Sequence, residues 1–213
     1  MINDIKLFYL WGLPIVKAKI LPDSFNKKNI VDTIINNYKS KPRRSSNLKN
    51  NFGTDIHQSL YDKDGIVEDP DYESLKEPYT HVIQNYLHHL KLQKDHDVEF
   101  STLNYTASNE TSYLAPHCHE DSDFAMTHYL QFDTTNSPTT FVNPYTFNDY
   151  WIRQNRISSS VSNNIENSWV FDTWTFDTEE NDVIIFPAIL KHFANIKKSD
   201  HIRITLATNI KLL

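Results

Sequence analysis

The sequence of 213 residues has little cysteine, little glycine and no long apolar run. Its single cysteine, Cys118, excludes an internal disulfide and fits a reducing cytosol. Three glycines are too few for a fibrous chain. Apolar patches near the N-terminus are interrupted by charged residues, so they match neither a signal peptide nor a membrane span. We therefore expect a cytoplasmic protein with no membrane partner.

Excess positive charge is also missing, because the formal net charge is −6 and the pI about 5.9. Non-specific nucleic-acid binding needs a basic surface that displaces counterions. We therefore expect no nucleic-acid partner. The one basic cluster, residues 39–51, is interpreted as a solvated loop, and a local contact to an acidic substrate is the less favoured alternative.

The residues that are present suffice for one packed core, since 39% are hydrophobic and 13% aromatic. We predict a single domain, 1–213, that is mainly β. Residues 1–96 are predicted to form two N-terminal strands and supporting helices. From residue 97 to 213 the pattern changes to short β-branched and aromatic runs separated by turn residues, which predicts a β-sandwich or barrel with the helices on one outer face.

The segment "APHCHEDSDF", residues 115–124, contains a cluster of side chains that can bind metal ions. His-x-Asp at a strand end places two side chains on one face, and a distant histidine such as His192 would complete a triangle. Two histidines and one carboxylate form the facial triad of ferrous iron. Strand parity leaves two registers open, His117-x-His119 and His119-x-Asp121. We favour His119, Asp121 and His192, because a carboxylate lowers the charge of the site, and keep His117 as an alternative ligand.

Three stretches of the chain carry a family resemblance: "SSNLKNNFGTDIHQS", "LNYTASNETSYLAPHCHEDSDFAMTHYLQF" and "IIFPAILKHFANIKKSDHIRITLATN". With their H-x-H, F-P-x4-H and R-I-T motifs they resemble the 2-oxoglutarate- and Fe(II)-dependent oxygenases, in particular a group of bacterial and phage proteins. The resemblance implies a double-stranded β-helix (jelly-roll) core over 97–213. It also implies Arg203 as the partner of the 2-oxoglutarate C5 carboxylate, with Thr205 and Tyr129 hydrogen-bonding beside it.

The activity implied by this resemblance is that of a dioxygenase. Fe(II), 2-oxoglutarate and dioxygen would serve the hydroxylation of a peptide or protein side chain or a small metabolite, with release of succinate and CO2. Two alternatives stay open: a cupin-like metalloprotein that does not use 2-oxoglutarate, and a non-catalytic jelly-roll binding module. Residues 40–72 and 143–168 are predicted lids over the site. A homodimer is the default expectation for the assembly.

Overall fold

The computed structural model describes residues 1–40, 56–63, 66–92, 97–109, 112–145, 160, 162–196 and 201–213. Much of the two predicted lids and most of the basic cluster lie outside these ranges. Within the described ranges the strands are β1 (Ile2–Leu10), β2 (Leu13–Ile20), β3 (Ile56–Gln58), β4 (Val98–Ser108), β5 (Leu114–His117), β6 (Phe124–Gln131), β7 (Thr139–Val142), β8 (Thr173–Thr175), β9 (Asp182–Pro187), β10 (His192–Ala194) and β11 (Arg203–Leu212). The α-helices described there are α1 (Lys27–Ser40) and α2 (Lys76–Leu90).

The strands form two antiparallel sheets. The larger has seven strands in the order β1-β2-β9-β6-β11-β4-β3, and the smaller has four in the order β5-β10-β7-β8. Strands β1 to β4 all belong to the larger sheet, and after β4 the chain passes repeatedly between the two sheets, with only β7 and β8 as consecutive strands of the same sheet. The predicted mainly-β class is confirmed, and the N-terminal hairpin β1-β2 extends the larger sheet through the β2-β9 pair.

The turn between β1 and β2 consists of Trp11 and Gly12. Both have positive φ values, 53° and 79°, and Leu10 pairs directly with Leu13. Two-residue turns with positive φ match the twist of the flanking strands and favour glycine. The indole Nε1 of Trp11 donates to the Ser168 carbonyl at 2.7 Å, which anchors the hairpin end. Pro14 lies inside β2.

Both helices pack on the outer face of the larger sheet, as predicted. Helix α1 buries Ile30, Ile34 and Tyr38, which recur every four residues and so share one face. Helix α2 buries Tyr79 and Tyr86 in the same cluster, which includes apolar residues from β6 and β11. Each such side chain contributes about 1.5–3 kcal/mol when fully buried. Among the described residues, no helix has the length and apolar composition needed to cross a membrane.

The inner face of the larger sheet meets the smaller sheet in a second apolar cluster. Tyr129, Phe141 and Phe186 are all fully buried there, each from a different strand. Phe141 and Phe186 pack edge to face with ring centroids 5.0 Å apart. This cluster fills one end of the space between the sheets, and polar side chains line the remainder.

Candidate metal centre

Three histidines converge at the edge where the smaller sheet meets this polar space. His117 ends β5 and His192 begins β10, and the two residues are direct partners in that antiparallel pair. His119 lies two residues beyond β5, where its backbone N–H donates to the Ala188 carbonyl at 2.9 Å. That bond folds the chain after β5 back over the start of β10. One potential ligand atom from each histidine lies within 4.8 Å of the others.

Backbone carbonyls orient two of the three rings. The Nδ1 atom of His117 lies 2.8 Å from the Ala115 carbonyl, and Nδ1 of His192 lies 2.9 Å from the Leu190 carbonyl. A carbonyl only accepts, so each Nδ1 carries the proton and each Nε2 keeps a lone pair. Metal-binding histidines are oriented in this way by a hydrogen bond from the other ring nitrogen.

The lone pairs of the cluster point toward a common space. Nε2 of His119 and Nε2 of His192 are 3.4 Å apart. Two imidazole nitrogens bound to one ion at about 2.1 Å lie roughly 3.0–3.4 Å from each other. The spacing therefore fits two ligands of one divalent ion, and the third ring, with its centroid 4.4 Å from that of His192, completes the group.

Burial favours the neutral form of all three imidazoles. Desolvation is the main cause that lowers the pKa of His192 to about 3 and that of His119 to about 4, and it also lowers the pKa of His117. Proximity to His117 lowers the first two further. Neutral imidazole is the form that binds a metal ion. The donor set thus fits a borderline divalent transition metal such as Fe(II), with further coordination positions left for other ligands.

Asp121 is not part of this cluster. It lies exposed in the turn at 120–121, after the chain has left β5 at His117. Alternation of side chains applies only within a strand, so the shared parity of 117, 119 and 121 does not place Asp121 beside the histidines. The structure therefore brings together His117, His119 and His192, the set containing the alternative ligand, and does not assemble the favoured set with Asp121.

Arg203 begins β11 on the inner face of the larger sheet and is only 9% exposed. Its Nη1 atom lies 3.5 Å from the Thr205 hydroxyl, and its buried Nε has no hydrogen-bond partner. No carboxylate of the described residues forms an ion pair with it, and burial lowers the pKa of the guanidinium. An unpaired buried charge costs several kcal/mol. The site is therefore built to receive an anion.

Two hydroxyl groups accompany this cation. Thr205 and Tyr129 are partners across the β11-β6 pair, and the Arg203 guanidinium carbon lies 5.9 Å from the centre of the Tyr129 ring. The Tyr129 hydroxyl accepts a hydrogen bond from the Thr139 amide at 3.1 Å, so its own proton remains to be donated. Guanidinium, phenol and threonine hydroxyl together can bind a carboxylate.

The histidine cluster and Arg203 face one cavity. His117, His119 and His192 line it together with Arg203 and Thr205. A molecule with a metal-chelating group at one end and a carboxylate at the other would therefore reach both.

Sequence reasoning did not single out Thr106 and Thr127, which line the same cavity. Thr106 is the partner of Thr205 across β4-β11, and Thr127 faces Ala207 across β6-β11. Alternation along β4 and β6 was the available signal, but it required knowing which strands are paired.

Asn104 and His128 lie on opposite faces of the larger sheet. Asn104 lines a cavity next to the histidine cluster, whereas its neighbour Tyr105 points the other way and hydrogen-bonds His57 at 2.9 Å. His128 has the parity opposite to Tyr129 and is fully buried beneath the helices.

Comparisons with known proteins identify the family and the fold. A family model described as "Putative 2OG-Fe(II) oxygenase" matches residues 103–209, half of the chain, and the match includes every candidate site residue named above from His117 to Thr205. A search of curated proteins found no match.

Solved structures with a similar fold include three 2-oxoglutarate-dependent or hydroxylating enzymes. The carbocyclase SnoK from nogalamycin biosynthesis matches with a TM-score of 0.60 and 10% identity, over 95% of this chain and 81% of that one. A Pseudomonas putida prolyl-4-hydroxylase matches at 0.53 and 8%, over 95% and 94%. The epimerase SnoN, also from nogalamycin biosynthesis, matches at 0.51 and 13%, over 92% and 76%. At these identities the similarity establishes the jelly-roll fold alone.

Proposed function

Because the chain belongs to the 2OG-Fe(II) oxygenase family, we propose that it hydroxylates an organic substrate at the histidine cluster. His117, His119 and His192 are proposed to hold Fe(II), and Arg203 to bind the C5 carboxylate of 2-oxoglutarate. The observation that carries this proposal is the shared cavity, where the three imidazoles face the same space as a buried guanidinium that has no counter-ion among the described residues.

The protein's own groups have separate tasks in this scheme. Arg203 anchors the remote carboxylate, while the hydroxyls of Thr205 and Tyr129 donate to it and fix its orientation. Carbonyls of Ala115 and Leu190 hold two imidazoles in the tautomer that presents Nε2. When bound, Fe(II) and 2-oxoglutarate supply the oxidation of a substrate C–H bond by dioxygen, with 2-oxoglutarate leaving as succinate and CO2.

Hydroxylation is proposed because it is the simplest outcome of this co-substrate chemistry. The fold does not decide the reaction, since the similar structures carry the names of a carbocyclase, an epimerase and a hydroxylase. The proposed substrate is a peptide or protein side chain or a small metabolite. The prolyl-4-hydroxylase among the structural neighbours supports the peptide alternative.

The experiment is an anaerobic titration of the metal-free protein with Fe(II) and then 2-oxoglutarate. If 2-oxoglutarate chelates the bound Fe(II), we expect a weak metal-to-ligand charge-transfer band in the visible spectrum. When air and a substrate are then added, we expect succinate to form. Arg203→Gln should weaken 2-oxoglutarate binding by about 30-fold or more, as for other buried charge pairs that lose one partner. Lys211→Gln, at the opposite end of β11, is the matched control and should bind normally.

The two rival functions predict different spectra. A cupin-like metalloprotein would bind Fe(II) but would show no band with 2-oxoglutarate and no effect of Arg203→Gln. A binding module without catalysis would not retain Fe(II) at stoichiometric amounts. Either result would contradict the proposed function.

A further inference from the structure

A second cavity lies beside the cluster of His117, His119 and His192, on the side of β3. His117 and His119 line both cavities, whereas Arg203 and His192 line only the first. We infer that this second cavity binds an uncharged substrate through a side-chain carboxamide, which Asn104 and Asn209 hydrogen-bond. The inference rests on the proposed function, because it places the oxidised group next to His117 and His119.

The register of β4 and β11 puts the two asparagines on the inner face. Asn104 pairs with Ala207, and Thr102 pairs with Asn209. Since successive pairs on one face are two residues apart, these positions lie on the same face as Thr205, beside Arg203. Both asparagines line the second cavity, as does Ala207 between them.

Among the described residues, the side-chain amides of Asn104 and Asn209 have no hydrogen-bond partner, and both side chains are half-buried. They are diagonal neighbours across the strand pair, a relation that separates residues by about 7–8 Å, and no hydrogen bond joins them. The small side chain of Ala207 leaves the space between them open. Each carboxamide therefore offers a donor and an acceptor to a molecule in the cavity.

Complementarity points to an amide as the group that they bind. A carboxamide can form two hydrogen bonds with another carboxamide or with a peptide unit, one in each direction, so that no donor faces a donor. The hydroxyls of Thr102 and Thr106 and the amide of Gln58 extend the same uncharged polar lining. Polar groups placed to satisfy a bound partner discriminate strongly against analogues that lack it.

The described lining of this cavity is uncharged. Although 23% of the chain is charged, no Asp, Glu, Lys or Arg occurs among the described residues that line it. A charged substrate group would lose its water against these residues without gaining a counter-ion from them, which is unfavourable. Arg203, a buried cation among the described residues, lines the other cavity. Cationic and anionic substrate side chains are therefore disfavoured.

Apolar residues form one wall and the rim. Leu114, Ala115 and Pro116 belong to the strand that leads to His117, and Leu60 and Tyr61 stand 42% and 55% exposed near the opening. This apolar wall can pack against the aliphatic part of a substrate whose carboxamide hydrogen-bonds Asn104 and Asn209. The resulting specificity is for a neutral group with a short aliphatic stem.

The experiment uses the full chain and a matched series of capped tripeptides, Ala-X-Ala, where X is Gln, Glu, Lys or Leu. N-acetylglutaminamide is added as the small-molecule source of the same chemistry. Binding is measured by saturation-transfer NMR with metal-free protein, and turnover by succinate release above the substrate-free background with Fe(II) and 2-oxoglutarate. The Gln peptide or N-acetylglutaminamide should exceed the Glu, Lys and Leu peptides at least ten-fold in kcat/KM, with the same order in binding.

Variants test whether the two asparagines cause this preference. Asn104→Asp and Asn209→Asp should each reduce turnover of the preferred amide probe at least ten-fold and raise that of the Lys peptide. Asn85→Asp, the same change on α2 outside the cavity, should leave the order of probes unchanged. All three variants should keep wild-type 2-oxoglutarate binding, which shows that they are folded.

The outcomes separate this inference from the proposed function. Absence of the charge-transfer band in the wild type overturns the proposed function. A normal band together with preference for the Glu, Lys or Leu peptide, or with neither binding nor turnover of any probe, overturns the amide assignment alone. Unchanged probe preference in both cavity variants overturns it as well.

Discussion

His128 and His192 are both buried imidazoles, and desolvation lowers the pKa of each to about 3. His128 lies on the outer face of β6, packed against Phe25 and Tyr79, and its Nδ1 is 3.0 Å from the Tyr79 hydroxyl. Its Nε2 has no partner. His192 lies on the smaller sheet, with its Nε2 directed toward His119.

The comparison of His128 with His192 shows that burial and a lowered pKa do not by themselves identify a metal ligand. The His128 ring packs between Phe25 and Tyr79 and hydrogen-bonds the Tyr79 hydroxyl, so it serves packing. In the cluster of His117, His119 and His192, ring nitrogens converge within 4.8 Å. Convergence of several imidazole nitrogens on one point is what distinguishes a candidate metal site from an isolated core histidine.

Replacement of one residue from each environment gives the largest expected contrast. His192→Ala removes a proposed ligand and should weaken Fe(II) binding by roughly 100-fold or more, beyond the 10–100-fold typical of outer-shell changes. His128→Leu keeps a side chain of similar size and should leave the Fe(II) affinity unchanged. Equilibrium titration under anaerobic conditions measures both. Equal losses of affinity would abolish the distinction between the two environments.

Arg203 extends the comparison to a buried cation. At a 2-oxoglutarate concentration 100 times the dissociation constant, the Fe(II)-loaded wild type should gain about 2.7 kcal/mol of stability, and Arg203→Gln, with an affinity lower by about 30-fold or more, should gain at most about 0.9 kcal/mol. Without 2-oxoglutarate, the variant should be about 1–3 kcal/mol more stable than the wild type, because an unpaired buried charge is removed. Urea unfolding with and without 2-oxoglutarate measures these free energies. A variant destabilised under both conditions would mean that Arg203 supports the fold.

The ligand set within the cluster is tested by His117→Ala and Asp121→Asn. If the three histidines bind the ion, the first change should weaken Fe(II) binding by about 10-fold or more, whereas the second should change it less than two-fold. Asp121→Asn retains size and removes only the charge, so it isolates ligation by the carboxylate. The reverse order of effects would favour the set of His119, Asp121 and His192.

The last prediction concerns the decline of stability at acidic pH, and the replacement of His128 isolates the contribution of that residue. The pKa of its folded form is about 3 and the unfolded value is near 6.5, so the unfolded chain binds more protons below pH 6.5. Stability is present above pH 6.5 and is lost as the pH falls toward 3, by at most about 1.4 kcal/mol per pH unit for this group. His128→Leu should flatten the decline by that amount. The comparison is made by urea unfolding of metal-free protein at pH 7 and pH 5, and an unchanged slope would contradict it.

Much of the fold could be predicted from periodicity. Apolar spacing of three and four residues located both helices, and Ile30 and Tyr86 are buried where that spacing places them. Alternation along β6 separated Tyr129 from His128 correctly, yet it did not reveal that the outer face is covered by helices. The partition of the chain at residues 96 and 97 stays a prediction.

The candidate site could be predicted less completely. Motif spacing identified His117, His119, His192 and Arg203 as candidates, and the structure places them around one cavity. Asp121 was grouped with the histidines by a strand parity that ends when the chain leaves β5 at His117. Asn209 was not recognised, because its position depends on the pairing of β11 with β4.

The sequence by itself determined the strand and helix pattern, the family motifs and the set of candidate ligands, since these depend on residue types and short spacings. Only the three-dimensional arrangement shows that His117 pairs with His192, that Asp121 is exposed, and that Arg203 is buried with no counter-ion among the described residues. The physical reason is that a metal site needs side chains from separate strands within a few ångströms of one another. Sheet register and the path of the chain between strands set those distances, and neither can be predicted from a local sequence pattern.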